Sequence, residues 1–399
     1  MGKWRTCTIG DLGTVVGGAT PSTKRVENYD GGTIAWITPK DLAGFSGRFI
    51  FCGERCITEQ GLKSCSTQLV PAHTVLFSSR VPIGYIAIAG QDVCTNQGFK
   101  SVVPNESTDY MFLYYLLKYS KDKIENLGSG TTFKEISGST MRGIEVFVPE
   151  AVEEQRRIAS ILSMLDDKIE KNIAVNENLQ EQARSIFQSW FIDYEPFGGS
   201  APSDWCLSTL GRIAVMKTDS WSPAKNPDVV VEHYSIPAYD EQHYPVFEIA
   251  SGIKSNKYFL TSDSVMISKL NPDTKRIWRP MCLSGHPVCS TEFIVYEAKK
   301  KGQRDYIYSL IDSVPFFNHL CSHTTGSTNS RQRATPKSTL DFALCLPPDS
   351  VIEDFCQIVT PMYDLIASNV VENQSLAKAR NNLLPRLMSG ELDVSALDL

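Results

Sequence analysis

The chain has 399 residues, a formal charge of −6 at pH 7 and eleven cysteines. A chain of this length holds two or three domains, and its negative charge excludes general electrostatic attraction to nucleic acid, so any such binding has to rest on local basic patches. The odd cysteine number without a Cys-x-x-Cys pair argues against a disulfide framework, and no apolar run approaches the ~20 residues of a membrane span, so we expect a cytoplasmic protein.

Residues 1–150 are predicted to form the first of two similar domains. Runs rich in Val, Ile and Phe predict short strands between turns marked by Gly and Pro, and one helix is predicted at 110–123. The stretch recurs about two hundred residues later, where Trp4 returns as Trp205 and Asp109 as Asp305. This period is longer than the about 20 to 50 residues of solenoid repeats, so it predicts two complete domains of one family in tandem.

Residues 151–195 change character and predict a long helix. One set of positions recurs at alternating spacings of four and three residues, which is the heptad pattern of a coiled coil. We call this set the seam. These residues are Ile158, Leu162, Leu165, Ile169, Asn172, Asn176, Leu179, Ala183, Ile186 and Trp190. A helix of about 40 residues would be about 60 Å long, more than one helix can bury by itself. The Gly- and Pro-rich stretch 193–203 is predicted to end it as a linker.

Residues 196–348 are predicted to form the second domain, and residues 349–399 a second helical region with a tail. This helix opens with a capping box from Ser350 to Glu353 and contains Pro361 and Pro385, which we expect to kink or shorten it. Its seam comprises Ile358, Met362, Leu365, Asn369, Glu372, Leu376, Ala379 and Leu383.

The two long helices are predicted to pair as an antiparallel coiled coil within an α+β chain of pseudo-two-fold internal repeat. The polar seam positions Asn172, Asn176, Asn369 and Glu372 would fix the register at some cost in stability. In the alternative, each helix packs only on its own domain, as short amphipathic helices do.

Enzymatic motifs are sparse. The sequence contains no phosphate-binding P-loop, no Rossmann glycine motif and no Gly-x-Ser-x-Gly nucleophile elbow. Asp273, Glu297 and Lys299 could hold Mg²⁺ and position a water, which leaves a Mg-dependent nuclease as the alternative function. The spacings of His286, Cys289, His319, Cys321 and His323 match no zinc module, so we predict no metal site.

Basic loops indicate DNA binding more strongly than the motifs above indicate catalysis. Lys and Arg neutralise phosphates, and Arg or Gln can hydrogen-bond base edges. Loop 271–280 of the second copy carries three cations, and loop 326–333 carries two arginines and a glutamine. The matching loops of the first copy contain 79–80 and 128–134. A third alternative is an interaction scaffold without a DNA role, in which these loops are only solvated surface.

Ordered motifs along most of the chain resemble the specificity subunit of type I restriction-modification systems. They are stretches 17–22, 34–42, 75–85, 95–100, 130–136, 154–169, 189–193 and 384–393. The resemblance implies a non-catalytic DNA reader with target recognition domains at 1–150 and 196–348, a central conserved helical region at 151–195 and a distal one at 349–399. It implies that each recognition domain grasps one half of a split, asymmetric duplex target.

The resemblance also implies partners and sites. Two methylation subunits would bring S-adenosylmethionine and modify adenine, restriction subunits would use ATP and Mg, and this chain itself would carry no cofactor. The residues expected at DNA are Lys40, Arg80, Lys100, Thr131, Thr132, Lys134, Lys269, Lys275, Arg276, Arg279, Arg331, Gln332 and Arg333. Those expected at the coiled coil and at partner subunits are Ile158, Leu162, Leu165, Ile169, Leu179, Trp190, Met362, Leu365, Leu376 and Leu383. The target sequence is not predicted.

Overall fold

The computed structural model describes residues 3–128, 134–325 and 332–394. The chain divides into two compact units, one of Met1–Lys171 with Asn373–Leu399 and one of Asn172–Glu372. Each unit therefore combines one predicted recognition domain with part of each long helix. The predicted four-block division stays a prediction.

In the first unit, short strands form mixed sheets. The strands are β1 (Trp4–Thr8), β2 (Gly13–Gly17), β3 (Ile34–Ile37), β4 (Phe49–Ile50), β5 (Arg55–Ile57), β6 (Val75–Phe77), β7 (Ile86–Ala89), β8 (Cys94–Thr95), β9 (Lys100–Pro104) and β10 (Glu145–Pro149). They pair in the orders β2-β9-β6-β7-β4, β5-β3-β8 and β1-β10. The helices are α1 (Ile9–Leu12), α2 (Glu59–Lys63), α3 (Tyr110–Tyr119), α4 (Lys121–Asn126) and α5 (Gly138–Arg142), with 3-10 turns at Val26–Asn28 and Pro39–Leu42.

Helix α6 (Val152–Phe191) is continuous over 40 residues. In its first part, Ile158 and Leu162 are fully buried in the core of the first unit. In its last part, Ala183, Phe187 and Phe191 lie in the core of the second unit. The predicted seam residues Leu165, Ile169, Leu179 and Trp190 are half-buried. Its end at Phe191 agrees with the predicted linker.

In the second unit, the strands are β11 (Cys206–Thr209), β12 (Ala214–Lys217), β13 (Ser220–Trp221), β14 (Val230–Tyr234), β15 (Val246–Ile249), β16 (Lys257–Phe259), β17 (Ser264–Ser268), β18 (Ile277–Trp278), β19 (Pro287–Ser290), β20 (Phe293–Ala298), β21 (Thr324–Thr325), β22 (Arg333–Ala334) and β23 (Ala343–Leu346). They pair in the orders β12-β20-β17-β18, β13-β16-β19-β14-β15, β11-β23 and β21-β22. The helices are α7 (Leu210–Ile213), α8 (Ile236–Gln242), α9 (Arg304–Asp312), α10 (Val314–Ser322), α11 (Pro336–Thr339) and α12 (Asp349–Met388), with 3-10 turns at Glu195–Phe197, Pro223–Lys225 and Ala250–Gly252.

The internal repeat is visible in the strand pairing. The order β2-β9-β6 of the first unit corresponds to β12-β20-β17 of the second, and each unit has a terminal ribbon, β1-β10 and β11-β23. Local capping differs between the copies. Thr8 and Asp11 form a capping box at α1, whereas the position equivalent to Asp11 is Arg212 in α7 and the N-cap Thr209 makes no side-chain cap hydrogen bond. The prediction of mixed helix-and-strand domains with two long helices is confirmed.

The structure bears on two expectations for α12. Pro361 does not shorten the helix, which continues for 40 residues, because flanking residues Val359 and Tyr363 are buried in the core and their packing offsets the lost backbone hydrogen bond. The predicted seam residues Ile358 and Leu365 are 40% and 46% exposed. The buried face of this part of α12 is formed instead by Ile352, Phe355, Val359 and Tyr363. The predicted Met362, Leu376 and Leu383 are half-buried.

Candidate nucleic-acid interface

In the first unit, three segments meet just beyond the end of β6. The backbone N–H of Ser79 donates to Gly98 O at 2.7 Å, and that of Ile136 donates to Ser79 O at 2.8 Å. This frame brings Arg80 against Glu135, with Nε 3.0 Å from Oε2, and places Lys100 Nζ 3.7 Å from Oε1 of the same carboxylate. We name these residues (Ser79, Arg80, Gly98, Lys100, Glu135, Ile136) the first junction.

The second unit contains the same backbone frame beyond the end of β17. The N–H of Lys269 donates to Glu292 O at 2.9 Å, and that of Ala334 donates to Lys269 O at 2.8 Å. Arg333 forks onto Glu292, with Nε 3.0 Å from Oε2 and Nη2 3.2 Å from Oε1. Leu270 pairs with Arg333 as Arg80 pairs with Glu135. These residues (Lys269, Leu270, Glu292, Arg333, Ala334) form the second junction.

Other predicted DNA residues lie beside the junctions or outside the described residues. Gln332 accepts a hydrogen bond on its backbone oxygen from Asn271 at 2.9 Å, and Lys134 is exposed. Thr131, Thr132 and Arg331 lie outside the described residues.

Two cavities border predicted lysines. One of about 360 Å³ is lined by Lys217, Lys269, Lys337, Tyr258, Phe293 and neighbouring residues, so Lys269 connects it to the second junction. The other, of about 250 Å³, is lined by Trp36, Thr38, Lys40, Asp41, Glu54 and Arg55. Lys40 Nζ donates to Glu54 at 2.7 Å, and that hydrogen bond raises the pKa of the lysine.

The cations of loop 271–280 are held by carboxylates of their own unit. Lys275 Nζ lies 2.5 Å from Asp312 Oδ1, and Arg276 forks onto Asp240. Arg279 contacts Asp305 at 2.7 Å and Asp364 at 2.7 Å, and only 9% of its side chain is exposed. To reach DNA, the guanidinium of Arg279 would have to leave both of these carboxylates.

The Arg279–Asp305 pair leads to a pH prediction. Burial alone would raise the pKa of Asp305, but the hydrogen bonds and charge of Arg279 lower it below its usual value. A lowered folded-state pKa stabilises the fold above the unfolded value of about 3.9, and this stabilisation is lost as the pH falls through the folded value. We expect Asp305→Asn to lose less stability than the wild type between pH 7 and about pH 3, measured by urea unfolding. Glu241→Gln, an exposed carboxylate, is the control, and equal acid sensitivity in Asp305→Asn would contradict the assignment.

Comparisons with known proteins identify the family. Residues 1–180 match the family described as type I restriction modification DNA specificity domain. The type I restriction enzyme MjaIX specificity subunit of Methanocaldococcus jannaschii is 32% identical over 418 aligned positions, covering 99% of this chain and 94% of the relative. The chain belongs to the type I specificity subunits.

Further relatives agree with this family. The EcoR124I/EcoR124II specificity subunit of Escherichia coli is 29% identical over 174 residues, 41% of each chain. The crystal structure of a type I restriction-modification S subunit from M. genitalium superposes with a TM-score of 0.61 over 97% of this chain and 96% of that one, at 16% identity. The specificity subunit described here therefore shares that fold.

The residues of the alternative nuclease are not brought together in this specificity subunit. Ser264 of β17 pairs with Glu297 of β20, and Asp273 follows Ser268 at the opposite end of β17. The four residue-to-residue steps from Ser264 to Ser268 separate these ends by about 13 Å. Glu297 accepts from Thr261 Oγ1 at 2.7 Å, and Lys299 Nζ donates to Gly211 O at 2.6 Å. Among the described residues, no His, Cys, Asp or Glu cluster could hold a metal.

The long helices of the specificity subunit contact each other through polar side chains. In the second unit, Asn172 Nδ2 donates to Glu372 at 2.7 Å, and Asn369 Nδ2 donates to Asn176 at 2.8 Å. The sequence singled out these four positions as polar members of the seam.

In the first unit, the contact between the helices is an ionic network that the sequence analysis missed. Asp166 accepts from Tyr115 Oη at 2.7 Å and from Arg380 Nη1 at 2.5 Å. Burial, with Arg380 nearby, lowers the pKa of Lys118 to about 8. Arg48 also joins the domain to α6, through Asp167 and, at 2.9 Å, Glu170. The only sequence signal was a charge at positions where the heptad pattern places helix contacts.

None of the described helices combines the length and apolarity that crossing a membrane requires.

Proposed function

We propose that this chain is the non-catalytic DNA-recognition subunit of a type I restriction-modification complex and that it binds a bipartite, asymmetric duplex target. Each unit would bind one half of the target. The observation that carries the proposal is the recurrence of one backbone frame in both units with different charged side chains on it. Arg80 and Glu135 stand on the first frame, and Leu270 and Arg333 on the second. Similar but non-identical readers are what a target with two different halves requires.

We propose that α6 and α12 form an antiparallel coiled coil that spaces the two readers. The contacts Asp166–Arg380, Asn172–Glu372 and Asn176–Asn369 support this, since residue numbers rise along α6 as they fall along α12. The polar pairs would fix the register, as buried polar residues do in coiled coils. A spacer of constant length would set the gap between the two half-sites, at about one helical turn of DNA.

The same helices are the surfaces that we propose for partner subunits. Ile358 and Leu365 are seven residues apart on α12 and are 40% and 46% exposed, and Met164 on α6 is 50% exposed. Large apolar side chains exposed on a helix face suit a partner protein. The partners would be two methylation subunits, which use S-adenosylmethionine to modify adenine, and restriction subunits, which use ATP and Mg. The proposal assigns no cofactor to this chain.

Deleting the gene for this chain from its host is expected to remove one class of adenine methylation from the genome. The marked sites should share two short defined sequences separated by a spacer of fixed length, because two units held by one spacer read them together. Methylation-sensitive long-read sequencing of wild-type and deletion strains measures this. Restoring the gene is the control. An unchanged methylation pattern would contradict the proposed function.

A further inference from the structure

The first and second junctions share a backbone and differ in their side chains. In both units a residue just beyond the strand, Ser79 or Lys269, donates to a neighbouring loop carbonyl and accepts from the returning chain. Gly98 of the first junction is replaced by Glu292 in the second, Arg80 by Leu270, and Glu135 by Arg333. The arginine thus lies on the outgoing strand in the first junction and on the returning strand in the second, and Lys269 replaces Ser79 on the outgoing strand, while the hydrogen-bonded frame stays the same.

This pattern separates base reading from phosphate binding. The sugar-phosphate backbone is the same in every half-site, so residues that only bind phosphates gain nothing by differing between the two units. Base edges differ between half-sites, so the residues that hydrogen-bond them have to differ. Positions that vary on a constant frame therefore match the requirement for base readers.

The geometry of the ion pairs also fits this role. Glu292 binds Nε and Nη2 of Arg333 and so fixes the plane of the guanidinium, while 47% of the arginine side chain stays exposed. Arg80 is 46% exposed and is held by Glu135, which is itself 38% exposed. A planar guanidinium held in advance loses little entropy when it donates to guanine O6 and N7, and an exposed carboxylate can accept from cytosine N4.

We propose that the Arg80–Glu135 and Arg333–Glu292 ion pairs are the base-reading positions at which the two half-sites of the target are distinguished. The inference rests on the proposed function and names the reading residues of that same interface. Each arginine donates to a base edge in the major groove of its own half-site, and its glutamate positions it.

The test is selection of duplexes from a randomised pool by the full-length chain, co-expressed with the methylation subunits that we propose as partners. Arg333→Lys keeps the positive charge and removes the fork. It is expected to reduce discrimination at one base position of one half-site by roughly 5- to 140-fold and to leave the other half-site unchanged. Arg80→Lys is expected to relax a position in the other half-site. Arg5→Lys, an exposed arginine on β1, is the matched control and should select the wild-type target.

Glu292→Gln tests whether Glu292 positions Arg333 for a base edge or whether Arg333 only contacts phosphate. Removing a negative charge should preserve or raise overall affinity, because phosphates are repelled less, but the same base position should become less selective as the guanidinium loses its hold. The inference is overturned if Arg333→Lys and Arg80→Lys keep the wild-type selectivity, or if they weaken binding to all sequences equally. The proposed function would still stand in either case. If the wild type selects no sequence at all, the proposed function fails, and the inference with it.

Discussion

Replacing Phe355 with alanine is expected to lower the free energy of unfolding by about 3–5 kcal/mol. Phe355 is fully buried on α12. Its ring centroid lies 5.1 Å from that of Phe191, 5.8 Å from that of Phe187 and 6.2 Å from that of Tyr306. Truncation removes transfer free energy and leaves a cavity where the two long helices and α9 meet. Urea unfolding followed by tryptophan fluorescence measures the change.

Leu365→Ala is the matched control for this measurement. It lies on the same helix and on the predicted seam, but it is 46% exposed. Exposed substitutions of this kind change stability by about 0.5 kcal/mol or less. If Leu365→Ala cost as much as Phe355→Ala, the buried face of α12 would be the one predicted from the heptad pattern and not the one described here.

Replacing Asp166 with alanine is expected to lower the free energy of unfolding by about 3–5 kcal/mol. The substitution leaves the charged Arg380 without its counter-ion in a buried site. Asp166 is 5% exposed and holds both Tyr115 and Arg380. The Arg380 side chain is 16% exposed, so water reaches it poorly once the carboxylate is gone. The same unfolding assay measures the loss.

Asp167→Ala is the control for the Asp166 prediction, since the two residues are neighbours on α6. The Asp167 side chain is 64% exposed, and its partner Arg48 keeps Glu170 at 2.9 Å after the substitution. We expect a cost of about 0–1 kcal/mol, because the Asp167 carboxylate is exposed and the buried Arg48 retains Glu170 as its counter-ion. If Asp166→Ala lowered the free energy of unfolding no more than Asp167→Ala does, the prediction for the buried ionic network would be wrong.

The long helices show what the periodicity of the sequence can and cannot predict. The heptad pattern predicted their extent closely: α6 ends at Phe191 and α12 begins at Asp349. It did not predict which face of α12 is buried, because aromatic side chains decide that face by packing in the core. Tyr363 packs against Tyr308 at 4.9 Å and hydrogen-bonds Ser309 at 2.9 Å, and this turns Leu365 toward solvent.

The basic loops show a different limit. The sequence identified cations in loop 271–280, but a sequence shows the sign of a charge and not its partner. Arg279 finds its carboxylates 26 and 85 residues further along the chain, in Asp305 and Asp364. Equivalent residues of the repeat also have different partners, since Asp109 caps α3 whereas its counterpart Asp305 binds an arginine.

By itself, the sequence determined the tandem repeat, the two long helices and the family, because these are carried by residue order, periodicity and motif succession, which need no knowledge of distant contacts. Only the tertiary structure decided which cations are neutralised and which face of α12 is buried. Only the tertiary structure showed that each unit carries its variable charges on an equivalent hydrogen-bonded frame. Those properties depend on segments far apart in the chain being brought within a few ångströms, and local patterns do not encode such distances.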